Sequence, residues 1–571
     1  MKFANIACLT SFLCLTTVNN VYANDFTFVE SILGSPTSKV YNPTTSIDLS
    51  NLTCYNGMKC KSKYTLTFYQ QNPQKRLWIN GNEINSNGIS LIKMLEHSYY
   101  EGLDPKRYQV DKLASMLVDI QGYNQKHIDV PENILFNYEV SLTDSYLTYS
   151  NDVQNGVINP NNVYEYWRVD KRSTANIYSE FINAVNSNRL IQSLQNDINE
   201  HPKLYSDLKN QLAIYINAYQ QGGWKPIKNT GVLKLGSSSN AVALIKQRLS
   251  MTKQYNLSND NNPHYFNSEL QNVIKQYQVS NGLKATGIVD SSTLKLLNQS
   301  PEVTIKKIAI NMDRMRWLPD SLASRRLWIN IPSYQLQIYE NNNLTYTMPV
   351  IVGGGKENKT CSTISSVTSI ELNPYWGVPN RIATKEYLKK IQESSGYLAN
   401  HDMKIYKNGS SQEIDPTMVD WSNVNEKNFN YYIKQQPGKK NALGQYKFRF
   451  DNGCGIYLHD TANRGLFTRG DRSLSHGCIR VGQPKYLAEY LTNSNTNGYT
   501  FNKVSQLVND QTHKFVSLSK PIDVYIVYYT SYVDLTSGQL TFKKDIYDLD
   551  SINFPISIPM KKEDEIESSN E

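Results

Sequence analysis

Residues 473–481 read Ser-Leu-Ser-His-Gly-Cys-Ile-Arg-Val, and a second histidine, His459, closes an apolar run upstream of Cys478. A cysteine is a strong nucleophile only as its thiolate, so a catalytic cysteine needs an imidazole within reach to take its proton. Gly477 beside it lets an acyl group approach the backbone. The pairing suits acyl transfer through a thioester. The tetrahedral oxyanion formed on attack needs preorganised donors, and the backbone amides of Cys478 and of Gly477 or His476 are the local candidates.

Side chains two apart on a strand share a face, so an extended segment at 456–458 would aim Tyr457 and His459 into one cleft. His476 is close to Cys478 along the chain and therefore poorly aimed at the sulfur, whereas a residue from a separate strand approaches it freely. His459 is the expected base, and His476 is expected to hold the loop by hydrogen bonds. The proton moves to His459 either in a resting ion pair or as substrate binds. Arg480, on the same alternating face as Cys478, is placed to hold a substrate carboxylate or a neighbouring carbonyl. The eight histidines are scattered and the catalytic pair accounts for His459, so no metal or other cofactor is expected. Gly353-Gly354-Gly355 lacks the following Lys-Ser/Thr of a phosphate loop and reads as a flexible turn near the cleft.

Lys2, the apolar stretch 6–18 and Val21-Tyr22-Ala23 have the layout of a secretory leader over 1–23. The stretch is short for a membrane span, which needs roughly 20 residues, and Phe12-Leu13 before Cys14 argues against lipid attachment. No later run reaches spanning length. The mature chain is thus expected outside the cytoplasm with no transmembrane segment. Removal of Cys8 and Cys14 with the leader leaves five of the seven cysteines, an odd number in an oxidising compartment. The expected pairing is Cys54 with Cys60 and Cys361 with Cys454, leaving Cys478 free; the alternative keeps all five reduced.

A chain of 571 residues is too long for one core and implies about three or four domains. Its formal charge of +8 is spread among both signs, which gives nucleic-acid binding little support and adds a weak attraction to anionic wall polymer. Residues 24–230 read as a polar, mostly helical scaffold, with Leu91 and Leu95 at helical spacing before the turn Gly102-Leu103-Asp104-Pro105, and Leu208, Leu212, Tyr215 and Tyr219 on one stripe. Residues 231–298 form a compact unit whose helices carry Val242, Ile245 and Leu249, then Val273, Ile274 and Tyr277.

From 301 to 550 the pattern becomes mainly β and sandwich-like, with strands expected around 327–331, at Leu336 and Ile338, and around 346–352, broken by Pro332 and Asn341-Asn342-Asn343, then around 366–372, 445–450, 455–458 and 524–529. Within it, 381–436 is charged and helical, an insertion of a length that folds as a lid over a site. The acidic 551–571 reads as a solvated tail.

Two segments resemble known families. The order Leu235-Gly236, Val242, Leu249, Val273-Ile274-Lys275-Gln276-Tyr277-Gln278, Gly282-Leu283 and Gly287-Ile288-Val289 resembles a three-helix peptidoglycan-binding domain, with Ala285-Thr286 in place of an acidic residue and an insertion at 256–263. Ser475-His476-Gly477-Cys478-Ile479-Arg480 with upstream His459 resembles the signature of L,D-transpeptidases with a YkuD-type catalytic domain, and Asn441-Ala442-Leu443-Gly444 resembles that family's second block. With Arg314-Met315-Arg316-Trp317-Leu318-Pro319 and the insertion, the whole is similar to the large Gram-negative, YcbB-like type. Asp460 stands where small members often have glycine, so the pocket wall is expected to differ there.

The resemblance implies a periplasmic enzyme that takes a tetrapeptide stem as acyl donor, forms a thioester on Cys478, releases D-alanine and makes 3→3 peptidoglycan cross-links. It implies Cys478 as nucleophile, His459 as base, and Tyr457, Trp376, Arg480 and Asn441 around the substrate, with Trp376 alternatively a core aromatic. It also implies peptidoglycan stem peptides and glycan as partners, cell-wall synthesis proteins beside them, and carbapenems as acylating inhibitors. Two other readings use the same residues: a carboxypeptidase or cross-link hydrolase that resolves the thioester with water, and a non-catalytic wall-binding scaffold.

Overall fold

The computed structural model describes residues 53–164, 167, 175–228, 231–355, 357–394, 396–493 and 498–559. The expected leader and residues 560–571 of the expected tail lie outside the described residues. The chain divides into two compact units. The first is helical. Helix α1 (Ser86–Glu96) buries Leu91 and Leu95, and the turn after it works as its residue types dictate. Gly102 adopts a left-handed φ of 69° that ends one short helix, and the Asp104 carboxylate accepts from the Lys106 N–H to start the next. The long helix α2 (Glu132–Asn155) carries Glu139 and Asp144 inward, both fully buried.

In the second unit, α3 (Lys203–Gln220) buries Leu208, Leu212 and Tyr215 on one stripe. Helices α4 (Asn240–Met251), α5 (Ser268–Ser280) and α6 (Ser291–Leu297) then close around Val242, Ile245, Leu249, Ile274 and Tyr277. The insertion at 256–263 is fastened to α4: the buried Lys246 ammonium meets Asp260 at 2.7 Å and the Asn262 carbonyl at 2.9 Å. Helix α7 (Pro301–Met315) packs on α3.

The remainder is built on one nine-stranded sheet. Its strands are β1 (Arg326–Asn330), β2 (Gln335–Glu340), β3 (Asn343–Gly353), β4 (Thr363–Leu372), β5 (Tyr446–Phe450), β6 (Leu458–His459), β7 (Ser473–Ser475), β8 (Ile479–Val481) and β9 (Lys514–Val527), in the order β7-β3-β8-β6-β5-β4-β9-β1-β2. Because β2 pairs with β3 as well as β1, the sheet closes on itself and its halves enclose one core, as the facing sheets of a sandwich would. Alternate residues such as Leu327, Ile329, Leu336, Ile338, Leu458 and Ile479 fill that core. The expected strand at 455–458 is mostly a turn. Asn452 accepts from the N–H groups of Cys454 and Ile456 and donates to the Ile456 carbonyl, so that segment bonds to itself instead of a neighbour.

Three expectations change or gain content. The insertion is not simply helical: Trp376–Gly377, Met403–Lys407, Glu413–Ile414 and Tyr431–Gln435 form a four-stranded sheet beside the helices. The cause is a period-two pattern that puts Ile405 opposite Ile433, both fully buried, in a core shared with Trp376, Ile391 and Trp421. The glycine run is not a flexible turn. A Cβ on Gly353 would collide with the Asn358 carbonyl and one on Gly354 with the Ser473 carbonyl, so these glycines permit close backbone packing at the end of β3. Cys54 is bonded to Cys60 and Cys361 to Cys454, and Cys478 is free.

Candidate active site

Strands β6 and β8 run parallel, with Leu458 opposite Ile479 and His459 opposite Arg480, and the Ile479 N–H donates to the Tyr457 carbonyl at 3.1 Å. This ladder brings Tyr457, His459, Cys478 and Arg480 together although the chain separates them into two pairs. The Tyr457 and His459 rings meet edge to face at 5.6 Å, as their spacing on one face requires. Half-buried Cys478 lies beside Tyr457, whose backbone and phenol favour the thiolate.

His459 is buried, and its Nδ1 faces the Asp460 backbone carbonyl. A carbonyl only accepts, so Nδ1 carries the proton and Nε2 presents a lone pair. Nε2 has no hydrogen-bond partner among the described residues. Burial, reinforced by the Arg480 and Lys447 charges, lowers the pKa of the ring to about 3, so the imidazole is neutral at working pH. Burial pushes the Cys478 thiol up, against the pull of neighbouring Tyr457, Lys447 and Arg480. Of the two resting states compatible with the sequence, the geometry therefore favours a neutral thiol beside a neutral imidazole. No hydrogen bond joins Sγ to the ring among the described residues; Tyr457 touches both. Proton transfer then belongs to the substrate-bound state, in which such contacts tighten.

The loop before Cys478 is tied from three sides. Gly477 holds a φ of 116°, and its N–H donates to Ser475 Oγ at 3.2 Å. Ser475 Oγ in turn donates to the Cys478 carbonyl, and Thr360 Oγ1 donates to the Gly477 carbonyl at 2.8 Å. Because the Gly477 amide is already bonded to Ser475, the amides of His476 and Cys478 are the ones with capacity for an oxyanion. The His476 side chain is exposed and its Nε2 meets the Glu386 carboxylate of the insertion. Glu386 and Tyr387 sit in a π-helical turn, Ala383–Tyr387, a widening that re-aims side chains.

Comparison with known proteins bears on this arrangement. Residues 324–508, which include both β6 and β8, match the model of the L,D-transpeptidase catalytic domain, YkuD. Over these residues the chain is similar to a YkuD domain. Residues 63–212 match a scaffold domain and 238–297 a "Putative peptidoglycan binding domain". A Haemophilus influenzae protein named "Putative L,D-transpeptidase" is 33% identical over 245 residues, which is 43% of this chain and 48% of that protein, so the match spans about half the relative's length. A solved L,D-transpeptidase fragment from Xylanimonas cellulosilytica, 13% identical, covers 52% of this chain and 97% of its own at a TM-score of 0.15, too low for any argument to rest on.

In this YkuD-like region, Arg480 flanks Cys478 with no carboxylate partner and, for its buried Nε, no acceptor among the described residues. Trp376 and Asn441 are used elsewhere. Trp376 belongs to the core of the insertion, edge-on to Tyr387 at 6.1 Å, which fits its role as a core aromatic. Asn441 is buried with its amide hydrogens on the Pro374 and Gln436 carbonyls at 3.0 and 2.9 Å and its oxygen accepting from the Leu443 N–H. It shapes a loop and offers a ligand no free donor.

Three residues around the cleft, Lys447, Ser475 and Thr360, escaped sequence reasoning, and Asp460 was marked only as a departure from the family pattern. Lys447, opposite His459 on β5, lies 4.4 Å over the Tyr457 ring and pairs with Glu371 at 3.3 Å. Asp460 turns its carboxylate from the cleft to bind the Gln445 and Thr461 N–H groups at 2.9 and 2.7 Å and Arg464 at 2.6 Å, so it braces the strand entering the site. Its position after the base was the one sequence signal. Ser475 lies inside the motif but carries no mark of its bracing role, and Thr360 arrives from a distant loop with no signal at all.

Proposed function

We propose that this protein is a periplasmic L,D-transpeptidase that forms 3→3 peptidoglycan cross-links through a Cys478 thioester. The observation that carries this reading is the neutral, tautomer-defined His459 set beside Tyr457 and Cys478, within a domain of YkuD type. Arg480, next to the nucleophile and without a carboxylate partner among the described residues, receives the terminal carboxylate of the donor stem. As the donor carbonyl arrives, the Cys478 thiol gives its proton to His459 Nε2 and the sulfur attacks. The oxyanion is held by the His476 and Cys478 amides; such donors are worth about 3 to 4 kcal/mol of barrier. On collapse, the C–N bond breaks and His459 returns its proton to the leaving D-alanine amine. The acceptor stem's amine then attacks the thioester, gives a proton to His459, and the sulfur leaves to be reprotonated.

The insertion joined to the loop at His476 and Glu386 supports transfer over hydrolysis, since excluding water protects the acyl-enzyme until an amine arrives. The test is the intact mass of wild type and Cys478→Ala after incubation with disaccharide-tetrapeptide, with soluble products separated alongside. Wild type is expected to release D-alanine and yield a cross-linked dimer, and the variant neither. A tripeptide stem as the only product would make the enzyme a hydrolase, and no change with either protein would leave the wall-binding scaffold.

A further inference from the structure

Cys361 and Cys454 are 93 residues apart in the chain, and the sheet explains why they meet. Strand β5 runs antiparallel to β4, with Phe450 opposite Val367, so the chain leaves β5 at the end of the sheet where it enters β4. The bridge joins the arm that enters β4, 358–361, to the arm that leaves β5, 452–456. Both arms lie outside the strands, and no backbone ladder holds one to the other. Irregular segments of this kind open locally at little cost, and a covalent tie between them restrains that opening.

Both arms reach the residue before Cys478. A Cβ on Gly477 would meet the Lys359 carbonyl oxygen at 3.6 Å and Cγ2 of Ile456 at 3.9 Å, so each arm abuts that glycine. The first arm also bonds to it. Thr360 Oγ1 accepts from the Gly353 N–H at 2.8 Å and donates to the Gly477 carbonyl at 2.8 Å. The Thr360 N–H donates at 2.9 Å to the Tyr547 hydroxyl, which in turn donates to the Gly353 carbonyl at 2.7 Å. The single proton of the Thr360 hydroxyl is therefore committed to Gly477. The Gly477 carbonyl and the Cys478 N–H belong to one planar, trans peptide unit, in which they point opposite ways. Holding the carbonyl thus fixes the direction of the N–H, one of the two amides with capacity for an oxyanion. The second arm runs on into Tyr457, whose carbonyl accepts from the Ile479 N–H at 3.1 Å just beyond Cys478.

We propose that Thr360 and the Cys361–Cys454 bridge form a clamp that aims the Cys478 amide at the oxyanion, so that acylation of Cys478 depends on the bridge while alkylation of its thiol does not. Thr360 is a positioning residue, acting through the peptide unit it holds. The inference rests on the thioester chemistry proposed above. A bridge that only stabilised the fold would be indifferent to the electrophile that meets Cys478, whereas a clamp on the amide matters only where an oxyanion forms.

The test compares wild type with Cys361→Ser/Cys454→Ser by intact mass, well below the melting temperature of both, with Cys478→Ala as the blank. The reagents are p-nitrophenyl acetate, a small acyl donor; the tetrapeptide donor; and iodoacetamide, which alkylates by displacement and forms no oxyanion. The double variant is expected to be acylated about tenfold to a hundredfold more slowly by ester and tetrapeptide. For the tetrapeptide the loss should fall on the limiting rate rather than on the concentration that half-saturates it. Alkylation should proceed at the wild-type rate across pH. Cys54→Ser/Cys60→Ser, which opens the short loop of the first unit, should be acylated as wild type is. Should the first double variant not fold, Thr360→Val gives the same comparison, because it keeps the side chain's shape without the hydroxyl, and Thr360→Ser should retain the rate. Equal acylation of variant and wild type overturns the clamp. So does an equal loss of acylation and alkylation, which would put the effect on the thiol or the fold. A wild type acylated by the ester and never by the tetrapeptide would sink the transpeptidase reading and leave the clamp standing on the ester rates; acylation by neither would sink both.

Discussion

The long helix of the first unit and the strand pair at the cleft both keep ionisable side chains out of water, and they use them in opposite ways. On α2, Asp144 accepts from the Lys61 and Ser62 N–H groups at 3.0 and 2.8 Å, from Thr65 Oγ1 at 3.0 Å and from the Tyr55 hydroxyl at 3.0 Å. Glu139 likewise takes the Trp78 N–H at 3.0 Å and the Tyr69 hydroxyl at 2.9 Å. These carboxylates fasten the chain that precedes the helix. On β6 and β8, His459 Nε2 and Arg480 Nε keep bonding capacity that no described residue fills. A filled polar group contributes to the fold; an open one costs stability and is available to substrate.

If that contrast is right, changes at the two places should separate chemistry from stability. The largest effect is expected from His459→Gln, which retains a polar side chain but removes the proposed base. The rate of Cys478 acylation by a tetrapeptide donor, followed by intact mass, should fall by about 10²- to 10⁴-fold with the melting temperature little changed. Asp144→Ala should do the reverse, because it strands several buried donors. Denaturant unfolding should show a loss of roughly 3 kcal/mol or more, while the folded fraction acylates at the wild-type rate. A variant that lost both properties would show that the two regions are not separable.

The smallest effect sharpens the resting state of the site. Simple alkylation by iodoacetamide requires the thiolate, and burial holds the Cys478 thiol above its ordinary pKa. The thiolate fraction therefore increases with pH, and the labelling rate of Cys478 should climb by about tenfold per unit through neutrality and still be rising at about pH 8. A plateau beginning well below neutrality would mean a resting thiolate-imidazolium pair and would contradict the depressed basicity of His459.

The positions of the helices in 231–298, the β character of the catalytic region and the odd cysteine at 478 were legible because each depends on local pattern: apolar period, turn residues, a count of thiols. The insertion was misread as helical because Lys385-Glu386-Tyr387-Leu388 dominated the pattern, while Met403–Lys407 and Tyr431–Gln435 become strands only by pairing with each other. Asn441 is an instructive case of another kind, since a place in a recognisable block carries no information on whether its amide faces a ligand or a carbonyl.

By itself the sequence determined the chemistry that is available: one thiol left after pairing, a histidine on a separate strand to act on it, and a glycine where the backbone needs a positive φ. Those follow from residue type and spacing along one segment. Only the tertiary structure decided the state of that chemistry. The parallel pairing of β6 with β8 set Tyr457 and Arg480 around the sulfur, the Asp460 carbonyl chose the imidazole tautomer, and burial set both proton affinities. Distance, solvation and hydrogen-bond direction belong to neighbours that are remote in the chain, and the order of residues does not contain them until the sheet has closed.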